Sequence, residues 1–122
     1  TTGLPKGVQL THRNLVANQC QNDTLNFIED ATTGHQDIVP AVLPMFHIYG
    51  YSVNSLFVLM KGAKIVTLPK FTPEDYVSVL RTQKPHVLFL VPPLGKVYSR
   101  HTVRKFDSFV LVGTLDGEAR GS

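Results

Sequence analysis

Apolar residues along this chain of 122 residues fall into short runs that are separated by amphipathic stretches. Continuous or β-branched runs of this length predict buried strands at 37–44, 63–68, 86–91 and 109–113. Pro40 lies inside the first run and has no backbone N–H, which predicts an irregular or edge position there. A further short strand is predicted from Val8 to Thr11.

The segments between these runs have helical patterns. Thr11 is a predicted N-cap for a helix to about Phe27, whose buried stripe would hold Leu15, Val16 and Cys20. This helix would begin directly after the glycine-rich start of the chain.

Three later segments are also predicted to be helical, at 48–60, 73–83 and 94–101. Gly62 would end the first of these, while Thr72 and Pro73 are typical of a helix start and Pro85 of a helix stop. The alternation of strands and helices predicts an α/β fold, a layered sheet of parallel type with flanking helices.

Composition limits the protein to one hydrophobic core. Hydrophobic residues make up 43% of the chain and charged residues 17%, which excludes a collagen-like or disordered polymer. Lysine and arginine number 12 against 9 acidic residues, a net charge of +3 that is spread along the chain. No segment combines clustered basic residues with aromatics, so a nucleic-acid partner is not predicted.

Cysteine usage and the apolar runs bear on the cellular location. Cys20 is the only cysteine, so the chain forms no internal disulfide or zinc knuckle, which suits a reducing intracellular compartment such as the cytoplasm or the peroxisome. No run of about 18 apolar residues predicts a membrane span. The first residue is threonine rather than methionine, which suggests that something upstream has been removed.

The first seven residues, TTGLPKG, could cradle phosphate oxygens. The hydroxyls of Thr1 and Thr2 and the amide of Gly3 can donate hydrogen bonds, and Lys6 adds a mobile positive charge. The order of residues is not that of a Walker loop. Without further context, an ordinary surface turn explains this composition better.

The segments that follow strands are further candidate sites, because parallel sheets bind ligands at the carboxyl ends of their strands. His47 follows the first predicted strand, although a histidine among apolar residues is often structural. Lys70 follows the second, where a solvated lysine is the alternative. The remaining histidines show no paired metal-ligand spacing and are assigned core or surface roles. They are His12, His35, His86 and His101.

Four separated segments resemble motifs of the adenylate-forming superfamily, which includes acyl-CoA synthetases, plant coumarate-CoA ligases and beetle luciferases. The segments follow one another in the same order as in that superfamily. They are TTGLPKGVQLTHRNL at 1–15, LPMFHIYG at 43–50, GAKIVTLPKF at 62–71 and HVLFLVPPL at 86–94. The resemblance implies part of the large N-terminal adenylation domain over residues 1–122, truncated at both ends. Residues 95–122 depart from the family pattern, with VGTLDG at 112–117 in place of the family's small-residue loop.

The resemblance also implies roles for single residues. The hydroxyl-rich loop would hold the β- and γ-phosphates of ATP through Thr1, Thr2, Gly3 and Lys6. His47 would face the reacting carboxylate, and its neighbours Tyr49 and Gly50 would shape the acyl pocket. Lys70 would contact coenzyme A.

The implied reaction joins a carboxylic acid to coenzyme A through an acyl-adenylate made from ATP. The family's Mg²⁺-binding glutamate and its catalytic C-terminal lysine would lie outside these residues, so the fragment alone would show little turnover. Two alternatives are a non-catalytic remnant with weak nucleotide binding and a luciferase-type monooxygenase, which Lys70 opposes. The acid is not specified, because a lining of Tyr49, Tyr51, Val53 and Phe57 would accept a fatty chain or a hydroxycinnamate-like ring.

Overall fold

The computed structural model describes residues 3–91 and 110–112. The helices are α1 (His12–Asp23), the π-helix π1 (Tyr49–Phe57), the short α2 (Val58–Met60) that continues it, and α3 (Pro73–Gln83). The strands are β1 (Ile38–Ala41), β2 (Lys64–Thr67), β3 (Val87–Phe89) and β4 (Val110–Val112). The predicted helix at 94–101 lies outside the described residues.

The strands pair in parallel, which confirms the predicted α/β class. β1 pairs with β2 in a register that joins Ala41 to Thr67, and β3 pairs with β4 in one that joins Val87 to Val110. β1 also lies beside β3, because the His86 N–H donates to the Ile38 carbonyl at 2.9 Å.

Pro40 explains why the ladder between β1 and β3 is incomplete. Backbone groups alternate sides along a strand, so Pro40 faces the same edge as Ile38, toward β3, and has no N–H to donate. The Ile38 N–H donates instead to Nδ1 of His86 at 3.0 Å. Among the described residues, β1 and β2 form one two-stranded sheet and β3 and β4 another, so the fully buried Pro40 faces the side of β1 that has no ladder, and its predicted irregular or edge position is confirmed.

β3 is buried on both faces, as its continuous apolar run predicts. Val87 and Phe89 belong to a cluster with Phe57, beneath π1 and α2. On the other face, Leu88 packs with Tyr76 of α3 and its neighbours. β3 is therefore covered by helical residues on both faces.

The predicted ends of the middle helices are confirmed. The Thr72 hydroxyl accepts the Asp75 N–H at 3.1 Å at the start of α3, and Lys84 has a φ of 47° just before Pro85. Gly62 has a φ of 70° directly after α2, in the left-handed region that favours glycine.

The first helix departs from its prediction at its end. α1 ends at Asp23 rather than near Phe27, and Asn26 then takes a positive φ of 51°. Asparagine tolerates this conformation better than most residues. After this turn, the Phe27 ring packs edge-on against two other rings, with its centroid 5.2 Å from that of Phe57 and 5.6 Å from that of Phe89.

The predicted buried stripe of α1 is wrong for two of its three residues. Val16 is 61% exposed and Cys20 is exposed, whereas Leu15 is half-buried, and the buried residue of this helix is Gln19. The strand predicted at 8–11 is wrong as well, because these residues belong to no strand of the described structure and Val8 is exposed.

Lys61 fastens the end of α2 to the end of α1. Its ammonium group lies 2.7 Å from Asp23 and 2.9 Å from Asp30, although the lysine side chain is only 8% exposed. Hydrogen bonds to Asp23 and then to Asp30 raise the pKa of Lys61, so it keeps its charge at physiological pH.

Over the described ranges, we find no helix whose length and apolarity would let it cross a membrane.

Candidate active site

Two of the candidate residues lie at the carboxyl edge of the sheet. Because β1 and β2 are parallel and Ala41 pairs with Thr67, the chain leaves both strands at the same edge. The segment after β1 contains His47, and the segment after β2 contains Lys70. This edge is where parallel sheets hold their ligands.

His47 is held in a tight turn between β1 and π1. Its N–H donates to the Pro44 carbonyl at 3.0 Å, and its own carbonyl accepts the Tyr51 N–H at 2.9 Å. Nδ1 of the ring accepts the Tyr49 N–H at 3.1 Å, which assigns the proton of the neutral imidazole to Nε2. The exposed ring therefore offers an N–H donor to a ligand at this edge.

Gly50 is required by the close approach of π1 to the same turn. A Cβ at this position would collide with the Pro44 carbonyl oxygen, and would lie 2.8 Å from the Pro44 carbonyl carbon and 3.1 Å from the Leu43 oxygen. All three are backbone atoms, so they cannot move aside as a side chain can. The absent side chain lets the helix start against the turn that holds His47.

We expect Gly50→Ala to lower the midpoint of urea unfolding, because overpacking of this kind costs about 1–3 kcal/mol. Helix propensity alone would act in the opposite direction, favouring alanine by about 1 kcal/mol. The matched control is Gly34→Ala, whose Cβ would meet nothing within 4 Å. Equal midpoints for the two variants would show that the contact with Pro44 is unimportant.

Tyr49 forms the boundary between this turn and the core. Its ring packs edge-on against Phe89, with centroids 6.3 Å apart, near the carboxyl end of β3. Burial raises the pKa of the half-buried Tyr49 hydroxyl, so the phenol is neutral at physiological pH. A neutral phenol beside an apolar wall suits contact with an uncharged part of a ligand.

The rest of the predicted lining divides between the surface and the core. Phe57 is completely buried in the cluster beneath π1, and Val53 packs against that cluster. Tyr51 is exposed. Of the four residues predicted to line an acyl pocket, Phe57 is therefore a core residue.

The surface around His47 is strongly apolar. Phe46 is 96% exposed, and its neighbours Met45 and Ile48 are also exposed. Large exposed apolar side chains in one turn are typical of a site that another part of a protein or a ligand covers.

Residues 3–11, called the N-terminal loop below, lie on the surface. Gly3 has a φ of 130° that only glycine adopts readily, and Leu4 is 90% exposed. Lys6 is exposed in an irregular stretch. Thr1 and Thr2 lie outside the described residues.

The direction of α1 places the N-terminal loop at the same end of the molecule as His47. Gln19 of α1 contacts Ser52 near the start of π1, while Asp23 contacts Lys61 just after α2. The two helical segments therefore run in the same direction, so that both begin on the same side of the molecule. One N-terminal end follows Lys6 and the other follows His47.

Sequence reasoning missed a polar cluster at the opposite, amino edge of the sheet. The buried Asp37 carboxylate accepts the Glu29 N–H at 2.8 Å and lies 3.1 Å from Nε2 of His35 and 3.6 Å from Nδ1 of His86. The His-x-Asp spacing at 35–37 is the only sequence signal for it. Across residues 3–91 and 110–112, no group of three or more histidine, cysteine or acidic side chains could hold a metal ion.

Comparison with known proteins identifies the family. The model of the AMP-binding enzyme family matches residues 1–114. Probable 4-coumarate–CoA ligase 1 of Dictyostelium discoideum is 38% identical over 120 residues, which are 98% of this chain and 21% of that protein. 4-Coumarate–CoA ligase 1 of Arabidopsis thaliana is 40% identical over 99 residues, 77% of this chain and 17% of that protein.

A solved structure supports the same assignment. The crystal structure of ATP-bound MatB from Rhodopseudomonas palustris matches with a TM-score of 0.69 and 25% identity, over 92% of this chain and 22% of that chain. This chain thus spans about a fifth of the length of the relatives that it matches. The chain belongs to the AMP-binding enzyme family, whose adenylation domain has the mixed helix and parallel-strand architecture described above.

Proposed function

We propose that this chain is a segment of an acyl- or aryl-CoA ligase. In the first step a carboxylate oxygen attacks the α-phosphorus of ATP, and the bond to pyrophosphate breaks to leave an acyl-adenylate. In the second step the thiol of coenzyme A attacks the acyl carbon and loses its proton, and AMP leaves. The partners are therefore three small molecules: a carboxylic acid, ATP and coenzyme A.

The turn at the end of β1 carries this proposal most directly. It presents the Nε2–H of His47 at the carboxyl edge of a parallel sheet, in a family defined by AMP binding. An N–H donor there can stabilise charge on the carboxylate as it approaches the α-phosphate. Relatives named 4-coumarate–CoA ligases, and a neighbour solved with ATP bound, support the same chemistry.

Lys6 and Lys70 supply positive charge in separate places. Lys6, in the N-terminal loop, would pair with the β- and γ-phosphates of ATP, together with the hydroxyls of Thr1 and Thr2 and the amide of Gly3. Lys70, in the segment after β2, would pair with the phosphates of coenzyme A. A lysine ammonium suits this task because it is a mobile point charge that phosphate oxygens can approach from several directions.

Tyr49 and Gly50 would shape the near wall of the acyl pocket. The Tyr49 ring, seated against Phe89, offers an apolar and uncharged face. Gly50 has no side chain, which leaves space for the Pro44 carbonyl of the turn that holds His47. The family resemblance implies that Mg²⁺ would be held by residues outside this chain, and no step above depends on it.

Pyrophosphate exchange tests the proposal. The longest natural product of the gene is incubated with ATP, labelled pyrophosphate and a panel of acids that includes 4-coumarate and fatty acids. Exchange that depends on an acid, followed by thioester formation with coenzyme A, is the expected result. Absence of exchange with every acid would favour a non-catalytic remnant, and light emission with luciferin would favour a monooxygenase.

Lys70→Ala is expected to raise the KM for coenzyme A about tenfold without changing pyrophosphate exchange, since one solvated phosphate contact is worth about 1–2 kcal/mol. Steady-state thioester formation at varied coenzyme A measures this effect. Lys84→Ala is the control, because this exposed lysine ends α3. Equal KM values for the two variants would place Lys70 among ordinary surface residues.

A further inference from the structure

α1 is held against π1 by side-chain hydrogen bonds. Nε2 of Gln19 donates to the Ser52 hydroxyl at 2.9 Å and to the Leu15 carbonyl at 3.2 Å. The Ser52 hydroxyl donates in turn to Oδ1 of Asn18 at 2.7 Å. Gln19 and Ser52 are both buried, while the apolar Val16 of the same helix faces outward.

Hydrogen bonds of this kind fix the position of one helix along the other, which apolar contacts alone do not fix. A hydroxyl that donates to one amide and accepts from another has its position set in distance and in angle, whereas apolar surfaces can slide with little change in energy. Oε1 of Gln19 is buried without a hydrogen-bond partner among the described residues, which makes this network costly to maintain for stability alone. A buried polar contact that fixes register is a known use of such groups.

The two helices joined in this way are direct continuations of the two candidate loops. α1 begins at His12, immediately after the N-terminal loop that contains Lys6. π1 begins at Tyr49, two residues after His47. The contact of Lys61 with Asp23 fastens the far ends, and the contact at Ser52 lies one turn of α1 nearer to the two loops.

We propose that Asn18, Gln19 and Ser52 form a positioning network that sets the distance between the N-terminal loop and the His47 turn. This proposal rests on the proposed function, because it assigns ATP to one loop and the reacting carboxylate to the other. The network acts through Lys6 and His47 and touches neither substrate. Its effect falls on the step in which the two substrates react.

A distance measurement tests the network without requiring activity. In the full-length protein, with its native cysteines replaced by serine, spin labels are placed at Val8 and Phe46, both of which are exposed. Gln19→Leu and Ser52→Ala are expected to broaden and shift the distance distribution between the labels. Ser52→Thr, which keeps the hydroxyl, is expected to restore it. An unchanged distribution in Gln19→Leu would overturn the proposal.

Kinetics of the same variants give the second readout. Gln19→Leu is expected to slow acid-dependent pyrophosphate exchange about tenfold to a hundredfold, since small displacements of reacting groups have effects of this size. Its KM for the acid and its unfolding midpoint would change little. Gln21→Leu, the same substitution at an exposed position of α1, is the matched control.

The outcomes separate the two proposals. A normal exchange rate in Gln19→Leu, or a loss matched by unfolding, would overturn the positioning role while leaving the ligase intact. No exchange in the unmutated protein would instead overturn the proposed function, and the distance between the labels would still decide whether the network positions the loops.

Discussion

Lys6→Ala is expected to raise the barrier to adenylate formation by about 2 to 4 kcal/mol, as measured by acid-dependent pyrophosphate exchange. The loss of one preorganised group that stabilises developing charge typically costs this much. Lys6 is exposed on an irregular stretch, and its side chain can reach a ligand without disturbing the core. The variant should therefore fold normally, and its loss should appear in the rate rather than in the unfolding midpoint.

Lys64→Ala is the control for charge removal. Lys64 begins β2 at the amino edge of the sheet, and its ammonium group donates to Gln83 at 3.0 Å, away from the candidate site. It should keep the full exchange rate. If Lys6→Ala were as fast as Lys64→Ala, the role of Lys6 in holding phosphate would be refuted.

His47→Asn is expected to slow both half-reactions, adenylate formation and thioester formation, by about tenfold or more, the usual scale for one lost hydrogen bond to a charged group. The asparagine oxygen can take the place of Nδ1 and accept the Tyr49 N–H, so the turn is preserved. What the variant loses is the Nε2–H donor. Single-turnover assays with ATP, and with preformed acyl-adenylate, measure the two steps separately.

The choice of substitution decides between a functional and a structural histidine. His47→Ala removes both ring nitrogens and so tests the turn as well as the donor. If His47→Asn were fully active and only His47→Ala failed, with a lowered unfolding midpoint, His47 would be a structural residue of the turn.

The local signals in the sequence predicted much of the sheet and its middle helices. Thr72 and Pro73 specify the start of α3 through hydrogen bonds and a fixed φ that involve only near neighbours. Gly62 ends α2 for a similarly local reason, its left-handed backbone. Such features depend little on distant parts of the chain, and they are confirmed.

Features that depend on a distant partner were not predictable in the same way. The buried face of α1 is set by Ser52, which lies 33 positions from Gln19, and a polar residue at a buried position has no apolar pattern to reveal it. The close approach of Gly50 in π1 to the Pro44 carbonyl is likewise a contact that the apolar pattern does not reveal. The strand predicted at Val8 shows that β-propensity without a paired neighbour does not make a strand.

The sequence motifs predicted which residues form the candidate site, and the structure shows how some of these residues are arranged. His47, Tyr49 and Gly50 are brought together in one turn, and Lys70 leaves the same edge of the sheet. The hydrogen bond that assigns a proton to Nε2 of His47 could not be read from residue spacing, because it depends on the backbone of the turn. The roles of Lys6 and Lys70 toward their phosphates remain predictions.

The most direct test of the account is a crystal structure of the full-length protein with ATP bound. In that structure we expect the ammonium group of Lys6 to lie within hydrogen-bonding distance of a β- or γ-phosphate oxygen, with Nε2 of His47 facing the space beside the α-phosphate. A nucleotide bound elsewhere, with Lys6 in bulk solvent, would contradict it.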